Sequence, residues 1–240
     1  MLRTKRILTT AALLAGAIVL SGSIEALAGA TIKGKVSLDG PRPKRTVLKM
    51  DADAFCKKHH GDKKVGSETA IVNKDMTVQN VIVYIKEGLS GDFPVPAEKP
   101  VIDQKGCQYV PHVLTCMVKQ TVVVLNSDET LHNIHGLPRN NAEFNFGQPR
   151  VKMEKEMTFT KEEIFRVKCD VHPWMSAWVG VFEHPFHNVT DSKGTFEIKD
   201  LPAGKYVVAA WHEKFGEVTQ DLEIADGDEK DISFTLSSKD

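Results

Sequence analysis

The chain has 240 residues, 41% hydrophobic and 26% charged, with a formal net charge of −1 at pH 7. With both signs interspersed and no basic stripe, this balance excludes the electrostatic footprint of a nucleic-acid-binding protein. Four cysteines, nine histidines and seven methionines leave metal and disulfide chemistry open.

At the start, Arg3, Lys5 and Arg6 precede an apolar run from Ile7 to Leu20, and "ALAG" follows at 26–29. This is the charged, apolar and small-residue succession of a cleaved secretory signal peptide. The apolar run is short of the ~20 residues that a membrane span needs. "LSGS" at 20–23 offers no cysteine for a lipid anchor. The expectation is therefore signal cleavage after about residue 28, an exported and periplasmic mature chain, and no stable membrane insertion.

Beyond it, "TIKGKVSL" (31–38) reads as a strand, and a short helix is expected around Asp51–His59 with Asp51 as N-cap. "VQNVIVYIK" (78–86), "TVVVL" (121–125), "KEMTFT" (155–160), "IFRVKC" (164–169) and "WVGVFE" (178–183) are short, β-branched and aromatic, with Gly, Pro, Asn and Asp between them. "GTFEI", "LPAGKYVVAAW", "EVTQDLEI" and "DISFTL" continue the pattern to the end. The expected fold class is all-β, built of sandwiches.

"IKGKVSLDGPRP" and "VQNVIVYIKEG" at the front, with "VTDSKGTFEIKDLPAGKYVVAAW" at the back, resemble the carboxypeptidase regulatory-like (transthyretin-like) β-sandwich. The resemblance implies one discontinuous domain, 29–97 with 188–240, interrupted by a second domain over 98–187. Such insertion is tolerated where chain ends lie close together at a surface. Two consecutive domains with an N-terminal extension are the other arrangement. A sandwich of this kind implies no chemistry by itself.

The middle segment carries the chemistry. "CDVHPWM" (169–175) sets Cys169, His172 and Met175 three residues apart, on a loop between two expected strands. Thiolate, imidazole and thioether are three of the four donors of a type 1 copper site, which takes two imidazoles, one thiolate and a weak axial methionine. Pro173 restricts the loop directly after His172. The remaining imidazole comes from "VVVLNSDETLHNIHG", as His132 or His135, and Asn133 is placed to brace the ligand loop or bond to the sulfur.

"VLNSDETLHNIH" and "FRVKCDVHPWMSAWVGV" resemble the cupredoxins, most closely the amicyanin-like members with a short Cys-x-x-His-x-x-Met loop. The resemblance implies a Greek-key cupredoxin β-sandwich with one mononuclear copper held by His132, Cys169, His172 and Met175. It implies a blue-copper electron carrier rather than an enzyme. His172 is then the electron port, reaching the surface through an apolar patch with Trp174. The implied partners are a c-type cytochrome or a periplasmic dehydrogenase, met by transient contact. A copper storage or delivery protein is the alternative.

Two departures concern loops: "VKQ" and "KEE" stand where that family has glycine-containing turns, and Cys107 and Cys116 have no counterpart. Four cysteines allow three disulfide connectivities. With Cys169 a ligand, Cys56 and Cys107 are the preferred pair and Cys116 is a buried thiol without a role. A second metal set of Cys56, His59, His60 and His112 is the weaker reading. His184, His187 and His212 are expected at the surface.

Overall fold

The structure, a computed structural model, describes residues 29–238. The expected signal segment lies outside the described residues. The elements in chain order are β1 (Ala30–Asp39), α1 (Ala54–His60), β2 (Ile82–Glu87), β3 (Val101–Gln104), β4 (Tyr109–Val110), β5 (Val113–Met117), β6 (Thr121–Asn126), β7 (His132–Leu137) and β8 (Phe144–Gln148). They continue with β9 (Met153–Thr158), β10 (Glu163–Lys168), β11 (Ser176–Phe182), β12 (His187–Val189), β13 (Thr195–Leu201), β14 (Gly204–His212), β15 (Gly216–Ile224) and β16 (Glu229–Ser237). The described chain is all-β apart from one short helix. No helix among the described residues is long and apolar enough to cross a membrane.

Four sheets form, in the orders β13-β1-β16, β12-β2-β14-β15, β5-β11-β10-β7-β8 and β4-β3-β6-β9. The first two share one core. In β1, Ile32, Val36 and Leu38 are buried, and in β16 so are Ile232, Phe234 and Leu236, the period-two pattern that turns alternate side chains inward. They meet Val83, Ile85, Val208, Ala210 and Leu222 of the second sheet. The strands β1 and β16 run parallel in unbroken register from Thr31↔Glu229 to Asp39↔Ser237. Gly34 permits this pairing, because a Cβ there would lie 1.6 Å from the carbonyl oxygen of Ile232.

The other two sheets enclose a second core, which includes Ile102, Val122, Val124, Ile134, Phe165, Val167 and Val179. Residues 48–65 also pack here, through Met50 and Cys56 and with Leu48, Phe55 and Val65 at the margin. A smaller cluster joins the two cores: Ile82, Tyr84 and Ala209 meet Val113 and Phe182, and Trp178 lies edge-on to Trp211 at 4.9 Å. The run "IVYI" in β2 is therefore buried on both faces, which explains why it does not alternate.

The helix cap lies two residues later than expected. Asp53, not Asp51, is the N-cap: it is extended (φ −111°, ψ 128°) and its side chain accepts the Cys56 N–H, which relieves one of the free donors of the first turn. At seven residues α1 is too short to persist alone. Its buried Cys56 anchors it to the second core.

Where a glycine-containing turn is the norm, Lys119 takes the left-handed conformation itself, with φ 65°. The "KEE" turn is held differently: Glu163 accepts backbone N–H groups from Arg139, Asn140 and Asn141.

The expectation that His184, His187 and His212 are surface residues is corrected. His184 and His212 are buried, and neither ring nitrogen of His187 reaches solvent. Local backbone bonds and stacking explain it. His184 donates to Ile85 O (2.8 Å) and accepts from the Phe186 N–H (3.2 Å). His212 accepts from the Lys214 N–H (3.1 Å) and stacks on Phe215 at 4.6 Å. His187 stacks on Phe182 at 4.9 Å.

Tyr206 on β14 gives a stability test of the first core. Its ring is buried there and its hydroxyl donates to Pro202 O at 2.8 Å, closing the turn before the strand. Tyr206→Phe keeps the packing and loses this bond, so urea unfolding should show a loss of about 1 kcal/mol.

Candidate metal centre

Register brings the site together. β10 pairs with β7 through Arg166↔Leu137, Val167↔Gly136 and Lys168↔His135. Continued past Lys168, that register lays the start of the 169–175 loop beside Asn133 and His132. β11 pairs with the other edge of β10, ending at Lys168↔Ser176, so the loop closes between two paired strands. Its own backbone tightens it: the Met175 N–H donates to His172 O (2.9 Å) and the Cys169 N–H to Met175 O (3.2 Å).

Asn133 braces this loop. Its Oδ1 accepts the Asp170 N–H (2.6 Å) and the Val171 N–H (3.4 Å), and its Nδ2 donates to Asn145 Oδ1 (2.7 Å). Pro173 is exposed on the loop's outer side.

His132, Cys169 and His172 are all buried, and their ligand atoms lie within 4.8 Å of one another. Met175, buried to 1% exposure, belongs to the same core cluster as Cys169. The Nδ1 atoms of His132 and His172 stand 2.9 Å apart. Cys169 Sγ is 3.7 Å from His172 Nδ1 and accepts the His172 backbone N–H at 3.2 Å. His135 does not join them. An odd separation along a strand points a side chain to the opposite face, and His135 instead bonds to Asp170 (2.9 Å) and Glu143 (2.8 Å).

Each imidazole turns its other nitrogen to a carboxylate. His132 Nε2 meets Asp128 Oδ2 at 2.9 Å, and His172 Nε2 meets Asp53 Oδ2 at 3.3 Å. Carboxylates accept, so the Nε2 of each ring carries hydrogen, and Nδ1 is the atom that each ring turns inward, toward the other ring and Cys169 Sγ. Two Nδ1 atoms turned inward at 2.9 Å must have a proton or a metal cation between them. The thiol adds to that demand. Burial pushes Cys169 up, but bonds from His132, His172 and the Asn133 backbone outweigh it and bring the thiol down to about 6. At neutral pH the donor is a thiolate.

The donor chemistry therefore fits a metal ion. Two further clusters among the described residues, Asp53–Cys56–His172 and Cys107–Asp128–His132, share these imidazoles. Both include a sulfur locked in the Cys56–Cys107 disulfide, so neither offers a second thiolate. The weaker set of Cys56, His59, His60 and His112 does not converge. His60 donates to Gly106 O (2.8 Å), His59 is exposed, and His112 pairs with Glu213. Cys116 on β5 is fully buried, and burial pushes its thiol up to about 12, which makes it unreactive.

One expectation is corrected outright. His172 does not reach the surface: it is 1% exposed. The segment bearing α1 covers it, with Asp53 at its Nε2 and Cys56 Sγ at 3.9 Å. Trp174 stands beside it, with ring centroids 5.0 Å apart, and donates its indole N–H to Cys107 O at 3.1 Å. Sequence reasoning missed Asp53 and Asp128 as partners of the imidazoles. The available sign for Asp128 is its position four residues before His132; for Asp53 there is none beyond its role as a helix cap.

A family model for the carboxypeptidase regulatory-like domain matches residues 179–237. No curated protein sequence matches the chain. Among solved structures, a copper(I) amicyanin variant is similar at 25% identity over 35% of this chain and 81% of its own, with a TM-score of 0.31. A purple cupredoxin from Nitrosopumilus maritimus is similar at 26% identity over 35% of this chain and 99% of its own, with a TM-score of 0.30. A copper-containing nitrite reductase from Thermus scotoductus SA-01 is similar at 22% identity over 40% of this chain and 25% of its own, with a TM-score of 0.32.

Proposed function

We propose that this protein is a type 1 copper electron carrier that works in the periplasm or another exported setting. The observation that carries the reading is the convergence of two inward Nδ1 atoms and an acidified thiol on one buried point. His132, Cys169 and His172 would hold the copper, with Met175 as the weak axial donor, the combination of soft and borderline ligands that selects copper. Copper bound there supplies a one-electron couple.

The protein's residues do the rest. The β10–β11 loop fixes three donors on one short segment, and β7 supplies the fourth. Burial of His132, Cys169, His172 and Met175 excludes water. Four protein donors leave no coordination position for a substrate, so the reading is a carrier rather than an enzyme. With His172 covered, the route we propose to the surface runs through Trp174, whose ring lies tilted beside it at 5.0 Å. The partner is a c-type cytochrome or a periplasmic dehydrogenase, met by the small transient contact usual for redox pairs.

In the same reading, the discontinuous sandwich of 29–97 and 188–240 carries the copper unit of 98–187 as an insertion. Residues 48–65 are lent to the copper unit's core.

Titration of the metal-free full chain with copper(II) tests the proposal. The expected result is one equivalent bound, an intense visible thiolate-to-copper absorption, and a reversible one-electron wave. His135→Ala should leave all three unchanged, because His135 faces away from the site. Copper bound without that absorption or wave supports storage or delivery instead. No binding overturns both readings.

A further inference from the structure

Asp53 and Asp128 come from distant parts of the chain, yet they do the same thing. Each presents its Oδ2 to the outer nitrogen of one imidazole. Each is also held by backbone N–H groups of a half-cystine. Asp53 Oδ1 accepts the Cys56 N–H at 2.9 Å. Asp128 accepts the N–H of Gly106 (2.8 Å) and of Cys107 (2.7 Å). Gly106 and Cys107 are both left-handed, at φ 61° and 56°, which turns their successive N–H groups onto one anion. The Cys56–Cys107 bond then joins the two holders. The result is a closed bracket: carboxylate, half-cystine, half-cystine, carboxylate, laid across the outer side of both imidazoles.

Helix capping alone does not explain it. The cap uses Asp53 Oδ1, while Oδ2 faces His172 and Thr130. Asp128 caps no helix, and its carboxylate is 3% exposed. A buried carboxylate on the far nitrogen fixes an imidazole's tautomer and ring angle and strengthens it as a ligand.

We propose that Asp53 and Asp128, bracketed by the Cys56–Cys107 disulfide, are positioning residues that hold both imidazoles with Nδ1 inward and thereby set the preference of the site for copper(II). The inference rests on the copper reading for its second half only. The first half, ring orientation, belongs to the metal-free protein.

The test uses Asp53→Ser and Asp53→Asn in the full chain. Serine and asparagine are both good N-caps, so α1 should persist and urea midpoints should stay close to the parent's. Serine is too short to reach His172, and asparagine is neutral there. In the metal-free parent, nitrogen-15 NMR should find the His172 proton on Nε2; in Asp53→Ser it should be shared between both nitrogens. Copper(II) affinity, measured by chelator competition, should fall about 10–100-fold in both variants, with copper(I) affinity less affected. Each tenfold lost by copper(II) relative to copper(I) raises the potential by about 59 mV.

An unchanged tautomer together with unchanged copper(II) affinity in both variants overturns the proposal. A parent that binds no copper overturns the proposed function, and the tautomer measurement then decides the positioning role by itself.

Discussion

Cys169→Ser should give a folded protein with no thiolate-to-copper absorption and little affinity for copper(II). Cys169 follows β10 directly and is 2% exposed. Its thiol, brought down to about 6, is a thiolate at pH 7. A serine hydroxyl stays protonated at that pH and offers a hard oxygen where a soft sulfur is needed. The fold should tolerate the change. Serine is slightly smaller, and its oxygen can still accept the His172 N–H that the sulfur accepts at 3.2 Å. The metal-free variant should therefore unfold within about 1 kcal/mol of the parent, while its visible spectrum with copper(II) is blank. Strong residual absorption would mean that another sulfur binds the metal. Cys116, buried on β5, is then the thiol to examine.

Removing the disulfide should cost the most stability. Cys56 and Cys107 are 51 residues apart in sequence, and the chain-entropy model gives ~4 kcal/mol for a loop of that length. Cys56→Ala with Cys107→Ala should lower the unfolding free energy by about that amount in urea. The loss should also be local. Without its anchor the seven-residue α1 has little to hold it, so amide exchange should quicken first over 48–61. Because that segment covers His172, the ring should become accessible, and copper should be captured by chelators faster than in the parent. A loss below 1 kcal/mol, with exchange unchanged over 48–61, would show that Met50, Phe55 and the other packing contacts hold the segment unaided.

The strands were legible because their physics is local. Alternation in "DISFTL" and "TVVVL" reports one buried face, and both lie in β16 and β6 as observed. The helix was legible to within two residues; which aspartate caps it depends on where the chain turns away from the core, and that is not local. "IVYI" carried too little alternation to show which neighbours it had, because it is covered on both sides.

The candidate site divides in the same way. Cys169, His172 and Met175 lie on one loop, so their spacing in sequence is already their spacing in space. His132 was reached through its resemblance to a family pattern, and the parity of strand β7 gives the physical reason that His135 faces elsewhere. The burial of His172 had no local sign. It is produced by a segment more than 100 residues earlier, as the contact between Cys56 and His172 shows. Among 32 acidic residues, Asp128 is marked only by its place four residues before His132, and nothing beyond a helix-cap role marks Asp53.

By itself, then, the sequence determined the all-β character, the donor-bearing loop and the chemistry those donors favour. These follow from side-chain period and from the softness of sulfur and nitrogen, which need only near neighbours. Tertiary structure alone decided that the loop is roofed over, that two carboxylates and a disulfide stand behind its imidazoles, and that His172 has no path of its own to solvent. Apart from Asp128, which is four residues from its imidazole, those features depend on closing loops of 50 to 120 residues (Cys56 to Cys107, Asp53 to His172). The free energy of such closures is set by packing and cross-linking of the whole chain, not by any short run of letters.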